Sequence, residues 1–340
     1  MLPHGLPIAQ LQTVRLDLLR ECNSNEAQRL LEACQRDGFF YLDIRNVDVD
    51  FTGVLDRMYE LCREIYSLPL DDKLLYDVDK LSSLKLNGYK PLGRNFGGLP
   101  GKKDGFETYT IPKDGVMGLD CQDAFLRPPV VDRFMDALQD FARFISIATT
   151  STLNSLSTSL ELPQEENFMT YHRPSAASPD IIRLLKYHAQ PLEERGVLHT
   201  PHTDLGSLTF LFTRQPGLQI LAPDSDQWTW VEPKEGCAIV NLGDGMSLLT
   251  NGFLRSCLHR VGPLPDEAMP TRYSFAYLVR AEDQTPMTGL KCPLFPPLDP
   301  GKKVFTSGEW LKQKFQAVRL NTRKENEDWI LTGNRDDLPA

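Results

Sequence analysis

The sequence predicts a mainly β fold with flanking helices, built around a sandwich or jelly roll. Between residues 181 and 279, six short apolar runs follow one another, separated by Gly, Pro and Asp turns. Many short strands at such even spacing pack as two stacked layers or a closed barrel. Outside that stretch, apolar residues recur every three or four positions, the period of helices that bury one face.

Taken in chain order, residues 25–37 form the first helical pattern, and Gly38 ends it because glycine adopts the left-handed cap. Phe39-Phe40-Tyr41-Leu42 reads as a buried strand. Leu55, Met58, Tyr59, Cys62, Ile65 and Tyr66 then mark one face of a second helix that Pro69 stops. Residues 86–118 are rich in glycine with little periodicity, the composition of a loop that covers a pocket. Val131, Phe134, Leu138, Phe141, Ile145 and Ala148 predict a long scaffold helix. Strands are expected at 181–187, 208–212, 218–221, 228–231, 238–241 and 274–279. Asn251-Gly252 lies between Leu248-Leu249 and Phe253-Leu254 and predicts a tight hairpin, since both residues tolerate positive φ. A last amphipathic helix is expected over 307–320, with Trp310, Leu311, Phe315 and Val318 inward.

Composition bounds the partners. The 340 residues carry 37 Lys plus Arg against 46 Asp plus Glu, a net charge of −9 without a basic run, which argues against nucleic acid. A chain this long buries most of its apolar surface unaided, so folding calls for no disulfide or structural metal. The seven cysteines are scattered and form no Cys-x-x-Cys pair. That pattern suits a reducing compartment. With no apolar run approaching membrane-spanning length and no address at either end, a cytosolic protein is expected, away from membranes.

Six histidines are present, and His199-Thr-Pro-His202-Thr203-Asp204 holds two of them beside a carboxylate. On a strand, residues i and i+2 face one side, so His202 and Asp204 could grip one ion together. His259, 55 residues after Asp204, is the best third ligand. Two imidazoles and a carboxylate on one face of an ion leave open positions opposite, as in non-haem Fe(II) enzymes. Zinc is the rival, although the Glu base of a His-Glu-x-x-His motif is missing. Taken singly, His202 and His259 also suit hydrogen-bonded structural histidines, and His199 is read that way. Arg272 and Ser274 share one side of a strand. There a guanidinium fork and a hydroxyl could clamp a carboxylate, where most Arg-x-Ser triplets are solvated surface.

Several strings occur in order: His202-Thr-Asp-Leu-Gly-Ser, Gly217-Leu-Gln-Ile, Val240-Asn-Leu-Gly-Asp, Leu249-Thr-Asn-Gly, His259-Arg-Val and Arg272-Tyr-Ser-Phe. Together they resemble the iron(II) and 2-oxoglutarate dependent dioxygenases, more narrowly the branch containing isopenicillin N synthase and the plant flavonoid and gibberellin oxygenases. Ala33-Cys-Gln-Arg-Asp-Gly-Phe-Phe-Tyr and Leu68-Pro-Leu-Asp-Asp-Lys resemble the amino-terminal region of that branch, so the likeness covers roughly residues 25–285. It implies a double-stranded β-helix (jelly roll, cupin-like) core over 181–285. Residues 1–125 would be an amino-terminal α/β region, 126–180 scaffold helices and 286–340 a carboxyl-terminal helical segment, all in one compact unit.

The resemblance makes His202, Asp204 and His259 the iron ligands, and Arg272 and Ser274 the clamp for the distal carboxylate of 2-oxoglutarate. Tyr187 falls where relatives carry the tyrosine of an Asn-Tyr-Tyr string that also binds the cosubstrate, with Leu185 at the Asn position. Asn241, Gly243 and Asp244 read locally as a turn and are assigned structure. Arg94, Phe96, Phe106, Tyr109 and Phe210 are candidate substrate contacts, each with ordinary packing, or a solvated charge for Arg94, as the plainer reading. The implied reaction consumes O₂ and 2-oxoglutarate at Fe(II), with ascorbate as a stimulatory reductant. It oxidises a C–H bond of a small molecule, with a secondary metabolite preferred. Hydroxylation is the default, and the same oxidant can desaturate, close a ring or expand one. Three rivals stand beside this reading: an isopenicillin-synthase-like oxidase without 2-oxoglutarate, a zinc hydrolase and a non-catalytic metabolite binder. The synthases carry Arg-Ala-Gly-Tyr where this chain has Leu86-Asn87-Gly88-Tyr89, which disfavours the first.

Overall fold

The computed structural model describes residues 2–47, 51–95, 103–121, 123–192, 199–223, 225–298, 301 and 303–318. Its strands are β1 (Thr13–Arg15), β2 (Phe39–Asp43), β3 (Gly88–Lys90), β4 (Phe106–Pro112), β5 (Ile181–Tyr187), β6 (His199–His202), β7 (Leu208–Thr213), β8 (Leu218–Leu221), β9 (Trp228–Trp230), β10 (Cys237–Leu242), β11 (His259–Val261) and β12 (Arg272–Val279). They form an eight-stranded sheet, ordered β1-β2-β10-β7-β12-β5-β4-β3, and a four-stranded sheet, ordered β6-β11-β8-β9. Every pairing is antiparallel except β1 with β2, the arrangement of a jelly roll.

The period of two in the large sheet separates two cores. Phe210 and Phe212 of β7, Phe275 and Tyr277 of β12, and Ile182 and Leu184 of β5 join one apolar cluster with the helices. Their neighbours in sequence point the other way. Leu185, Tyr187, Ile239, Phe39 and Phe106 from this sheet meet Leu218, Ile220 and Val261 from the small one. The space between the sheets is therefore a second, smaller core, and it carries the polar site.

The helices are α1 (Leu16–Arg20), α2 (Ser24–Arg36), α3 (Phe51–Ser67), α4 (Leu70–Leu74), α5 (Val78–Leu81), α6 (Lys113–Met117), α7 (Pro129–Arg133), α8 (Met135–Ser159), α9 (Asp244–Leu249) and α10 (Ser307–Val318). Asn23 caps α2 by accepting from the Glu26 N–H, and Gly38 follows its end at φ 66°. The scaffold helix runs eleven residues past the expected Ala148, and a break at Phe134 sets α7 apart from it. Thr152, Leu153 and Leu156 are fully buried, so packing carries the helix through a Ser/Thr-rich stretch of low propensity. Each such Leu contributes about 1.5–3 kcal/mol by leaving water.

Two local expectations are corrected. Residues 86–118 are not one loop, because they contain β3, β4 and α6. Glycine content hid a strand whose residues are all buried. Nor is Asn251-Gly252 a hairpin. Leu248 and Leu249 end α9, and the left-handed pair (φ 48° and 85°) turns the chain out of that helix while the Gly252 N–H donates to the Ser247 carbonyl at 2.7 Å. Positive φ serves a helix carboxyl terminus as well as a hairpin.

Candidate metal centre

Antiparallel pairing of β6 with β11 sets His259 directly opposite His202. Their rings lie 4.3 Å apart. Asp204 comes from the turn beyond β6, so it does not share a strand face with His202 as the i, i+2 argument supposed; its Oδ1 still reaches 3.8 Å from His202 Nε2 and 3.9 Å from His259 Nε2. One ligand atom from each residue lies within 4.8 Å of the others, and among the described residues this is the group placed to hold a metal.

Second contacts aim each ligand. His202 Nδ1 pairs with the Thr200 carbonyl at 2.8 Å and His259 Nδ1 with the Cys257 carbonyl at 3.1 Å. A carbonyl only accepts, so each Nδ1 holds the proton and each Nε2 lone pair faces the centre. Burial, with His259 beside it, pushes His202 down to about 3, which keeps it neutral. Burial alone would raise the Asp204 carboxyl. The two imidazoles and hydrogen bonds from Thr209 Oγ1 (2.6 Å) and Asn241 Nδ2 (2.9 Å) outweigh it and hold Asp204 well below the usual range. Asn241 therefore orients a ligand. Reading its motif only as a turn missed this, although the inward parity of β10 was a signal.

The same motif pins the ligand turn through its backbone. The N–H groups of Gly243, Asp244 and Gly245 donate to the carbonyls of Ser207, Asp204 and Gly206 at 3.1, 2.7 and 2.8 Å. A Cβ on Gly243 would sit 2.4 Å from the Gly206 oxygen, so the contact requires glycine.

Arg272 and Ser274 lie on the inner face of β12, opposite Tyr187 and Leu185 of β5. Arg272 is 1% exposed. Its Nε donates to the Gln215 carbonyl and its Nη1 to Ser274 Oγ, both at 3.3 Å, and the guanidinium lies 5.0 Å from the Tyr187 ring centroid. Nη2 is buried without a hydrogen-bond partner among the described residues. An unmatched buried guanidinium donor is costly, and a carboxylate is its natural complement.

The cavity beside the triad is lined by Phe106, His199, Arg183, Lys90, Leu278 and Phe315, among others. His199 is hydrogen-bonded, as the plainer reading has it, with Nδ1 3.4 Å from Tyr187 Oη, but it also forms cavity wall, stacked 4.2 Å from His202 and tilted against Phe106 at 4.4 Å. Two candidate contacts lie elsewhere. Tyr109 and Phe210 sit in the helix-side core, because their parity on β4 and β7 turns them away from the cavity. Arg94 is not in the cavity wall; half-buried, it is ion-paired with Asp77 at 2.7 Å and with Asp79. Phe96 lies outside the described residues.

Comparison with known proteins agrees with this geometry. The family model for the 2OG-Fe(II) oxygenase superfamily matches residues 178–281, and the one for the non-haem dioxygenase in morphine synthesis N-terminal region matches residues 6–123. Among curated proteins, the 2-oxoglutarate-dependent dioxygenase gloE of Glarea lozoyensis is 33% identical over 335 residues, covering 96% of this chain and 94% of that protein. The 2-oxoglutarate-dependent dioxygenase frbH of Dothideomycetidae sp. is 31% identical over 325 residues, covering 96% and 95%. Among solved structures, a full-length Neurospora crassa protein in complex with alpha-KG and thymine superposes with a TM-score of 0.73 at 22% identity, covering 93% of this chain and 98% of that one.

Proposed function

Because this chain belongs to the 2-oxoglutarate and Fe(II) dependent oxygenases, we propose that His202, Asp204 and His259 hold its Fe(II) and that Arg272 and Ser274 hold the far carboxylate of 2-oxoglutarate. The chain is a 2-oxoglutarate-dependent dioxygenase, an oxidoreductase that takes Fe(II), 2-oxoglutarate and O₂. The observation that carries the residue assignment is the buried, unpartnered Nη2 of Arg272 on the same inner sheet face as the triad's cavity.

When bound, the iron with 2-oxoglutarate and O₂ supplies an oxidant for a substrate C–H bond, and the cosubstrate leaves as succinate and CO₂. The protein's own residues do the rest. Thr200 and Cys257 fix the two imidazoles and Thr209 and Asn241 fix the carboxylate, so that these three residues would hold the iron and leave room on it for 2-oxoglutarate and O₂. Tyr187, its ring 5.0 Å from the Arg272 guanidinium and its Oη 3.4 Å from His199 Nδ1, would add a second contact to the cosubstrate. Phe106, Leu278 and Phe315 give the cavity an apolar wall for a small molecule, for which a secondary metabolite is our preferred class, with hydroxylation the default outcome. Seven free cysteines support a cytosolic setting, and among the described residues no helix is long and apolar enough to cross a membrane.

The test is an anaerobic titration of the apoprotein with Fe(II) and then 2-oxoglutarate, following the weak visible charge-transfer band of the chelated keto acid. A saturable band that Arg272→Ala weakens is the expected result. Bound iron without a band would instead favour the oxidase that dispenses with 2-oxoglutarate.

A further inference from the structure

Lys314 is an oddity of its helix. It lies between Trp310, Leu311 and Phe315 on the inward face of α10 and is 3% exposed, where a cation is rarely placed without a purpose. Its ammonium points at the ligand turn. Nζ donates to the Thr203 carbonyl at 2.8 Å and to Thr203 Oγ1 at 2.7 Å, and it ion-pairs with Asp244 Oδ2 at 2.7 Å. Thr203 is the residue between His202 and Asp204. Asp244 is the residue whose N–H holds the Asp204 carbonyl, and its Oδ1 accepts from Ser256 Oγ at 2.8 Å.

We propose that Lys314 is a positioning residue for the metal centre, so that the carboxyl-terminal helix α10 completes the site by holding Thr203, the residue between two of its three ligands. The inference rests on the metal reading of the triad. The ammonium makes two hydrogen bonds, to the backbone and the side chain of Thr203, and an ion pair with Asp244. Removing them loosens the chain between two ligands, and metal affinity falls because the ligands must then be ordered further on binding. Phe315, the next residue, lines the cavity, so α10 contributes to both the ligand turn and the substrate wall.

The test uses Co(II) as the probe, added anaerobically to the full-length apoprotein and followed by visible absorption. Lys314→Met leaves Asp244 buried without a counter-charge and risks the fold itself, so the deciding variant is Lys314→Met with Asp244→Asn, which restores charge balance but removes the ammonium's two hydrogen bonds to Thr203. The expected result is at least tenfold weaker Co(II) binding by the double variant, with its apoprotein melting near the wild type. Co(II) binding within twofold of wild type, or an unchanged melting-temperature rise on adding Co(II), overturns the proposal. Wild-type protein that binds no Co(II) overturns the metal reading, and this inference with it.

Discussion

At the scale of single residues, the site works by giving each polar atom one task. His202 and His259 spend Nδ1 on a carbonyl and keep Nε2, and Asp204 spends Oδ2 on Thr209 and Asn241 and keeps Oδ1. Alanine at His202 or Asp204 should therefore abolish iron-dependent turnover and metal binding, and full activity in either variant would sink the ligand assignment. Arg272→Ala should act differently. It removes a buried bidentate partner and should raise the apparent Michaelis constant for 2-oxoglutarate at least tenfold, consistent with a loss on the order of 3 kcal/mol; an unchanged constant refutes the clamp. Away from the centre, His172 is buried between the Phe168 carbonyl at 2.7 Å and Ser207 Oγ at 2.6 Å, and burial pushes it down to about 4. The unfolded imidazole titrates near 6.5, so its contribution is fully present above that pH and is lost as pH falls toward 4. In urea unfolding of the apoprotein, the stability difference between wild type and His172→Gln should shrink by roughly 3 kcal/mol from pH 7 to pH 4. A difference that stays constant across that range would contradict it.

At the scale of elements, β4, the strand next to the β3 edge of the large sheet, is fixed by Glu107. Its carboxylate meets Lys73 of α4 and Tyr89 Oη of β3 at 2.7 and 2.6 Å, and Lys186 and His188 at 3.2 and 3.0 Å. Burial alone would raise this carboxyl, but those partners hold it far below its ordinary range. Glu107→Leu strands the buried Lys73 and should cost about 3–5 kcal/mol by denaturant unfolding; a loss under about 1 kcal/mol would mean that the network is dispensable. The sequence showed little of this. Val, Ile and Leu runs announced β5, β7, β8 and β12 because packing in a sheet leaves a local pattern, whereas β4 lies in a glycine-rich stretch and pairs with a strand far along the chain, Phe106 with Tyr187 and Pro112 with Ile181 at its ends. Asn251-Gly252 failed for the opposite reason: its left-handed backbone is real, but whether it joins strands or ends a helix depends on what the preceding residues pack against.

At the scale of the whole molecule, the triad was legible because its spacing belongs to a motif, while its geometry depends on a register that no short window contains: β6 and β11 must pair His202 with His259 before three weak signals become one centre. The supporting contacts were less legible for the same reason. Lys314 of α10, Asn241 of β10 and Thr209 of β7 reach the ligand turn from three distant parts of the chain. A centre assembled from so many segments couples metal binding to global stability, since the unfolded chain retains none of that arrangement. Metal at a hundred times its dissociation constant adds about 2.7 kcal/mol to unfolding, enough to raise the melting temperature of a chain this long by several degrees. We expect that rise for Fe(II) added anaerobically to chelator-treated protein, and none in His259→Ala. Zn(II) should give a comparable rise, because its affinity for imidazole and carboxylate is at least as high, yet only Fe(II) should restore O₂ consumption and succinate release. Succinate release restored equally by Zn(II) would contradict the Fe(II) requirement, and a melting temperature insensitive to every metal would separate the fold from the centre.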